Sequence, residues 1–224
     1  SGVDTSRPIF TGIYMDYSKE KLTITSTDGF RLSEKNIKIK GEISDFKVVI
    51  PAKTLLEVAK IFSSSSEPIE FTLNQDENLG LFRAEDTLIA TRVLDGDYPD
   101  YKKIIPTEHI VKANFSTLEF TEAVRLTDIF AKEGNSTIKV RFDPEGKIKI
   151  TSLSEETGQH ESNLNAEIEG ELVEIAFNSK YLLDFLGNVK SENIEFKSNG
   201  NLSPCTFVPD GIKDFIHIIM PMQI

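Results

Sequence analysis

Apolar and polar positions alternate in short segments along most of the chain. Ile13-Tyr14-Met15-Asp16-Tyr17 and Lys21-Leu22-Thr23-Ile24-Thr25 read as two strands joined by a polar turn at Ser18-Lys19-Glu20. In the second of them Leu22 and Ile24 share one face, and Lys21, Thr23 and Thr25 share the other. The same period predicts strands over residues 37–40, 47–50, 69–73, 80–83 and 87–92. Most carry lysine or threonine on the off-face, the pattern of sheets with one side packed and the other wet.

Three segments break that period. Residues 51–62 place Leu55, Leu56, Val58, Ala59 and Phe62 at helical spacing, and Pro51 suits a helix start. Ser116-Thr117-Leu118-Glu119 predicts a capping box, with Ser116 accepting from a free amide and Glu119 reaching back, at the head of a helix to about Lys132 that Gly134 ends. A third helix is predicted over residues 179–189, with Tyr181, Leu182, Phe185, Leu186 and Val189 on its apolar side. Ser63-Ser64-Ser65-Ser66 reads as a loop after the first helix.

The chain is also self-similar. The hairpin from Gly12 to Thr25 has a counterpart from Lys139 to Thr151, and the strand-into-helix junction from Val48 to Leu56 recurs from Glu174 to Leu182, both at an offset of 126 residues. The second copy has a helix, residues 116–132, ahead of its hairpin, whereas the first has only residues 1–11 there. With the Ser1-Gly2 start, this predicts a fragment of a longer protein whose first repeat lacks its leading strand and helix.

Composition narrows the class. The 224 residues suit either one large β-rich fold or two units, each big enough to bury a core. One cysteine, Cys205, cannot form an internal bridge, so a reducing, cytoplasmic setting is expected. No window nears 18 apolar residues and no signal peptide is present, so no membrane is expected as a partner. His109, His160 and His217 have no metal-ligand spacing with one another or with Cys205, Glu155-Glu156 reads as a solvated loop pair, and nucleophile-elbow, P-loop and dinucleotide motifs are missing. No catalysis and no cofactor are expected. Acidic residues outnumber basic ones 36 to 25, a net charge of −11 that by itself argues against nucleic acid.

Ordered motifs change that picture. Arg7-Pro8-Ile9-Phe10-Thr11-Gly12, Thr27-Asp28-Gly29-Phe30-Arg31-Leu32, Gly96-Asp97-Tyr98-Pro99-Asp100-Tyr101 followed by Ile104-Ile105-Pro106, Phe177-Asn178-Ser179-Lys180-Tyr181-Leu182-Leu183, Leu202-Ser203-Pro204 and Ile218-Ile219-Met220-Pro221-Met222 run in one order from about residue 7 to 224. In this the chain resembles the bacterial replicative sliding clamp family, the β subunit of DNA polymerase III. The resemblance implies an α+β clamp fold of repeated domains, each with antiparallel sheets outside and two helices inside. Two subunits of three such domains close as a homodimer ring around duplex DNA. Here residues 1–106 would be a truncated middle domain and 107–224 the whole C-terminal domain, a piece not expected to close a ring alone.

The resemblance also implies a role without catalysis, as a processivity factor that tethers a polymerase so that rebinding is effectively intramolecular. Partners, namely the polymerase α subunit, clamp-loader subunits and repair proteins, would dock short peptides carrying apolar anchors and a glutamine. By position the matching residues are Arg7, Ile9, Phe10, Thr27, Gly29, Phe30, Arg31, Leu32, Pro106, Tyr181, Leu202, Pro204, Ile218, Met220, Pro221 and Met222. Leu32, Ile218 and Met220 suit an apolar well, methionine adapts to varied side chains, Gly29 permits close backbone approach and Arg31 offers fixed donors. Phe30 departs from the histidine common at this position. Tyr98-Pro99-Asp100-Tyr101 reads as a rigid structural turn.

Basic side chains recur on the helices: Lys53 and Lys60, Arg125 and Lys132, Lys180, with Lys190 just beyond. The seven-residue spacings put each of the first two pairs on one face. Under the resemblance these meet phosphate without reading sequence; otherwise they are a solvated face in company with Glu57, Glu122 and Asp128. The alternative reading of the whole chain is a non-catalytic duplicated α+β recognition module unrelated to DNA, with a hydrolase a distant third.

Overall fold

The structure, a computed structural model, describes residues 7–41, 43–131, 135–152 and 160–223. They form two compact units that divide between Pro99 and Asp100, a short way before the boundary expected after Pro106.

In unit 1 a 3-10 turn, Pro8–Thr11, leads into β1 (Gly12–Ser18), β2 (Lys21–Thr27), β3 (Arg31–Lys38), β4 (Phe46–Pro51) and α1 (Ala52–Ile61). A second 3-10 turn, Phe62–Ser64, precedes β5 (Glu70–Asn74), β6 (Leu79–Ala84) and β7 (Thr87–Arg92). β3, β2, β1 and β4 pair antiparallel in that order, and β5, β6 and β7 form a second antiparallel sheet. Met15, Tyr17, Leu22, Val48 and Ile50 of the first sheet meet Val58 and Phe62 after α1 and Phe82 of the second.

Unit 2 holds β8 (Val111–Ser116), α2 (Thr117–Ala131), β9 (Thr137–Asp143), β10 (Lys147–Ser152), β11 (Glu161–Asn165), β12 (Glu167–Gly170) and β13 (Val173–Asn178). α3 (Ser179–Leu186), β14 (Asn193–Ser198), β15 (Cys205–Pro209) and β16 (Phe215–Ile219) follow. One sheet runs β11-β10-β9-β13 and another β12-β8-β14-β15-β16, all antiparallel. Between them lies a phenylalanine-rich core in which Phe120, Phe142, Phe177, Phe196 and Phe207 are fully buried.

The α+β class and the predicted strands are observed, with several corrections. The strand expected at residues 37–40 is the end of β3, which starts at Arg31, because Asp28 organises a turn that lets pairing with β2 resume at once. The third helix ends at Leu186, where Gly187 caps it and Val189 packs against the core from outside. On α1, Leu56 is 68% exposed and Ala59 is exposed, so the buried stripe is Ala52, Leu55, Val58 and Phe62. The wet face assigned to β2 is covered, since Thr23, Thr25 and Thr27 are buried. Half of the capping box forms, with the Glu119 amide donating to Ser116 Oγ at 3.3 Å. Gly134, Lys132 and Glu155-Glu156 lie outside the described residues.

The repeat is real, but one offset does not describe it. In the structure Met15 and Tyr17 match Val140 and Phe142, Leu22 matches Ile148, and Val48 and Ile50 match Ile175 and Phe177, so the offset drifts from 125 to 127 residues. A single offset of 126 would pair Met15 with Arg141 and turn that core strand inside out, since one residue of slip exchanges the faces. The hairpin turns absorb part of the difference. β1 and β2 close through Lys19 and Glu20, both left-handed, and β9 and β10 through a loop one residue longer that uses Gly146 at φ 88°.

Candidate functional site

The turn from Thr27 to Leu32 is built by its own side chains. Asp28 Oδ1 accepts from the amides of Phe30 and Arg31, both at 3.0 Å, and Asp28 Oδ2 lies 2.8 Å from Arg31 Nε. Thr27 Oγ1 donates to the Arg31 carbonyl at 2.8 Å and accepts from the Gly29 amide at 3.1 Å. Gly29 sits at φ 91°, a conformation open to glycine at no steric cost. This network holds Phe30 at the tip, 60% exposed, and turns Leu32 inward to 1% exposure. Asp28, which the motif reading did not assign, is therefore the organiser; an Asp-Gly pair opening a turn is the signal that marks it. It also engages Arg31, so the guanidinium enters any ligand contact already oriented.

Upstream, the Phe10 amide donates to the Arg7 carbonyl at 3.0 Å, and the Arg7 guanidinium lies 5.8 Å from the centroid of the Phe10 ring. Ile9 and Phe10 are half-buried. In unit 2, Pro106 follows the 3-10 turn Tyr101–Ile104, and Tyr181 is half-buried on α3. Asn178 caps that helix, accepting from the Lys180 amide at 3.0 Å. A further brace is Asp128, expected in solvent but buried on α2, which accepts a hydrogen bond from Ser179 at the head of α3. Leu202 is 63% exposed in the turn between β14 and β15, and Pro204 is half-buried.

The C-terminal motif leaves β16 as an extended segment. Ile218 is fully buried, and Met220, Pro221 and Met222 are half-buried. The Met222 amide donates to the Ala176 carbonyl at 2.8 Å, while Thr137 Oγ1 lies 3.4 Å from Met222 Sδ. Thus the apolar side chains of the motif set that reach solvent are Phe30, Leu202 and, in part, the methionines, whereas Leu32 and Ile218 underlie them within their own units.

Unit 1 also holds a stacked pair, Tyr14 and Tyr98, with centroids 4.7 Å apart and planes 8° from parallel. Tyr14 donates to Asp16 Oδ2 at 3.2 Å; burial first, then the Asp16 charge, pushes its phenol from the ordinary 10.0 up to about 12. Burial raises Tyr98 as well. A phenol raised in the folded state resists losing its proton, so its contribution holds below the unfolded value and fades as pH climbs from 10.0 toward 12. Alkaline absorbance titration should therefore show two of the five tyrosines ionising late. Tyr14→Phe should lose less stability over that range than the parent, and equal losses would remove the effect.

Among the described residues no three His, Cys, Asp or Glu side chains are grouped to hold a metal, and no helix is long and apolar enough to cross a membrane. His217 is buried and stacks on Phe185 at 4.5 Å, and His160 stacks on Phe130 at 5.0 Å. Burial pushes the Cys205 thiol up to about 12, far from a reactive thiolate. Lys53, Lys60, Arg125, Lys180 and Lys190 are all exposed.

Two repeated antiparallel α+β units carrying these ordered motifs define a clamp-type chain. Residues 2–100 match the central domain of the DNA polymerase III beta subunit and residues 102–223 match its C-terminal domain. The beta sliding clamp of Bacillus subtilis is 31% identical over 221 residues, covering 97% of this chain and 58% of the relative. A crystal structure of the DNA polymerase sliding clamp from the same organism is 31% identical with a TM-score of 0.93, covering all of this chain and 59% of that one. The DNA polymerase III beta chain of Streptococcus pneumoniae gives 29%, a TM-score of 0.94 and coverage of 100% and 60%. The chain belongs to the DNA polymerase III beta subunit family. It spans a little under three fifths of the length of the relatives it matches.

Proposed function

We propose that this chain serves as the central and C-terminal part of a replicative sliding clamp: a non-catalytic tether that tracks duplex DNA and holds the polymerase, clamp loader and repair proteins through short peptides. The observation that carries this reading is the turn from Thr27 to Leu32, locked by Asp28, which presents an exposed Phe30 on a rigid frame within a motif of this family. A preformed frame lowers the ordering cost of peptide capture. Both units contribute to recognition, with Phe30 and Leu32 from the first and Leu202, Met220 and Met222 from the second. Methionine supplies the adaptability that several partners demand. Phe30, in place of the family's common histidine, trades a polar rim contact for an aromatic one and so favours partners with an apolar residue at that point.

The exposed Lys53, Lys60, Arg125, Lys180 and Lys190 are assigned to phosphate. Single cations scattered over several helices give weak, sequence-independent and salt-sensitive contact, which suits sliding better than a tight site would. Lys132 lies outside the described residues.

Titration of a fluorescent peptide bearing a glutamine and apolar anchors tests the recognition half of the proposal. Met220→Ala and Leu32→Ala should each weaken binding by about tenfold or more, as truncated anchors do. Undiminished binding by both variants, or no binding by the parent, would sink it.

A further inference from the structure

Each unit contains a cleft in the same place. In unit 1 it measures about 480 Å³ and lies along the outer edge of β4 at Lys47 and Val49, where the Leu94 amide donates to the Val49 carbonyl at 2.8 Å. In unit 2 it measures about 490 Å³ and lies along the outer edge of β13, where the Met222 amide donates to the Ala176 carbonyl at 2.8 Å. The repeat equates Val49 with Ala176 and Leu94 with Met222. A Cβ on Gly12 would lie 2.8 Å from Leu94 Cδ1, and Thr137, its counterpart, touches Met222 Sδ.

What borders the two clefts differs. In unit 1 the chain itself continues as one wall, residues 93–98, ending with Tyr98 stacked on Tyr14, and Lys47, Gln75 and Asn78 make the rest polar. The cleft of unit 2 is flanked instead by Leu172, Leu202 and Ile110, which are 49%, 63% and 37% exposed. Backbone groups in a strand point alternately to its two sides. Since the Ala176 carbonyl faces away from β9, so do the amide and carbonyl of Glu174, two residues back, and no described backbone group pairs with them.

We propose that this groove is a second docking site, which takes an extended segment of a partner protein by strand addition to β13. The added backbone continues, opposite Glu174, the pairing that Met222 begins. An apolar side chain of the segment enters between Leu172 and Leu202. Its neighbours on the other face carry positive charge, complementing the exposed Glu171 and Glu174. An extended occupant follows from the unpaired edge, an apolar one from the exposed leucines, and unit 1 shows the same edge already bordered by a stretch of the protein's own chain. The groove's geometry does not depend on the function proposed above.

The test is to pan a displayed library of random dodecapeptides against the whole chain and to synthesise the enriched sequences with a fluorescent label. Enriched peptides should bind Leu172→Asp at least about tenfold more weakly, as loss of an anchor contact predicts. They should change less than about twofold with Met220→Ala, and should slow hydrogen exchange at the Glu174 amide of the parent protein. Methylating alternate peptide amides should abolish binding in one register and spare it in the other. Leu172 is half-exposed, so its replacement is expected to fold, and the exchange measurement on the parent stands independently of it. Peptides indifferent to Leu172→Asp, sensitivity to Met220→Ala instead, an unprotected Glu174 amide, or no enrichment at all would each overturn the proposal.

Discussion

Phe142→Ala is expected to destabilise unit 2 by about 3–5 kcal/mol, the range for deleting a fully enclosed aromatic ring. Phe142 is 0% exposed on β9, stacked on Phe196 of β14 at 4.1 Å with planes 4° apart, and 6.4 Å from Phe115 of β8. Its ring thus bridges the two sheets of the unit, and the neighbours that would have to collapse into the space are held in ladders: Phe196 faces Ala113 and Phe207 in register. Relaxation is therefore small and the cavity term large. Urea unfolding followed by far-ultraviolet circular dichroism measures the loss, and Phe142→Leu, which keeps most of the volume, should cost only about 1 kcal/mol. A loss below about 1 kcal/mol for the alanine variant would mean that the two sheets do not meet through this ring.

Gly170→Ala is the second large effect, and its cause is backbone rather than side chain. Gly170 closes β12 at φ 100°, a region that costs an ordinary residue about 1–2 kcal/mol. A Cβ there would lie 2.0 Å from the Ile110 carbonyl oxygen and 2.9 Å from its carbon, and the following Glu171 amide donates to that same oxygen at 2.9 Å. Neither atom can swing aside as a side chain would, so the pairing of β12 with β8 must open. The expected loss exceeds about 3 kcal/mol, conformational strain and steric conflict together. Gly200→Ala separates the two causes: its φ is 112°, yet nothing lies within 4 Å of the added carbon, so only the conformational part applies. Equal losses at the two positions, compared by thermal denaturation, would count against the steric account.

Much of this was legible in the chain. Alternation located β1, β2, β4, β5, β6 and β7, because each presents a clear two-residue period between turn residues. The polar strands β11 and β12, Glu-Ser-Asn-Leu-Asn and Glu-Ile-Glu-Gly, carry one apolar residue apiece and offered no such period; they exist because β10 and β8 supply pairing edges. The motifs named the family and a residue set, but not the role of Asp28, whose value lies in bonds to amides two and three residues on. Nor could they reveal that Leu172 and Ile110 stand exposed beside an open strand edge, since Leu172 follows an acidic turn without any periodic context.

By itself the sequence determined the period of each element, the positions of its turns, the presence of a repeat and membership of a family, all of which depend on neighbours a few residues apart or on ordered motifs. Tertiary structure alone decided which faces are covered. Thr23, Thr25 and Thr27 lie buried where threonine reads as wet, Leu56 lies exposed where leucine reads as core, and Asp128 is buried because Ser179, 51 residues away, arrives to donate to it. It also decided that the repeat drifts by a residue at each turn. Local pattern records that a strand has two unlike faces; which one meets the core is settled by partners brought from far along the chain, and a slip of one residue reverses the answer.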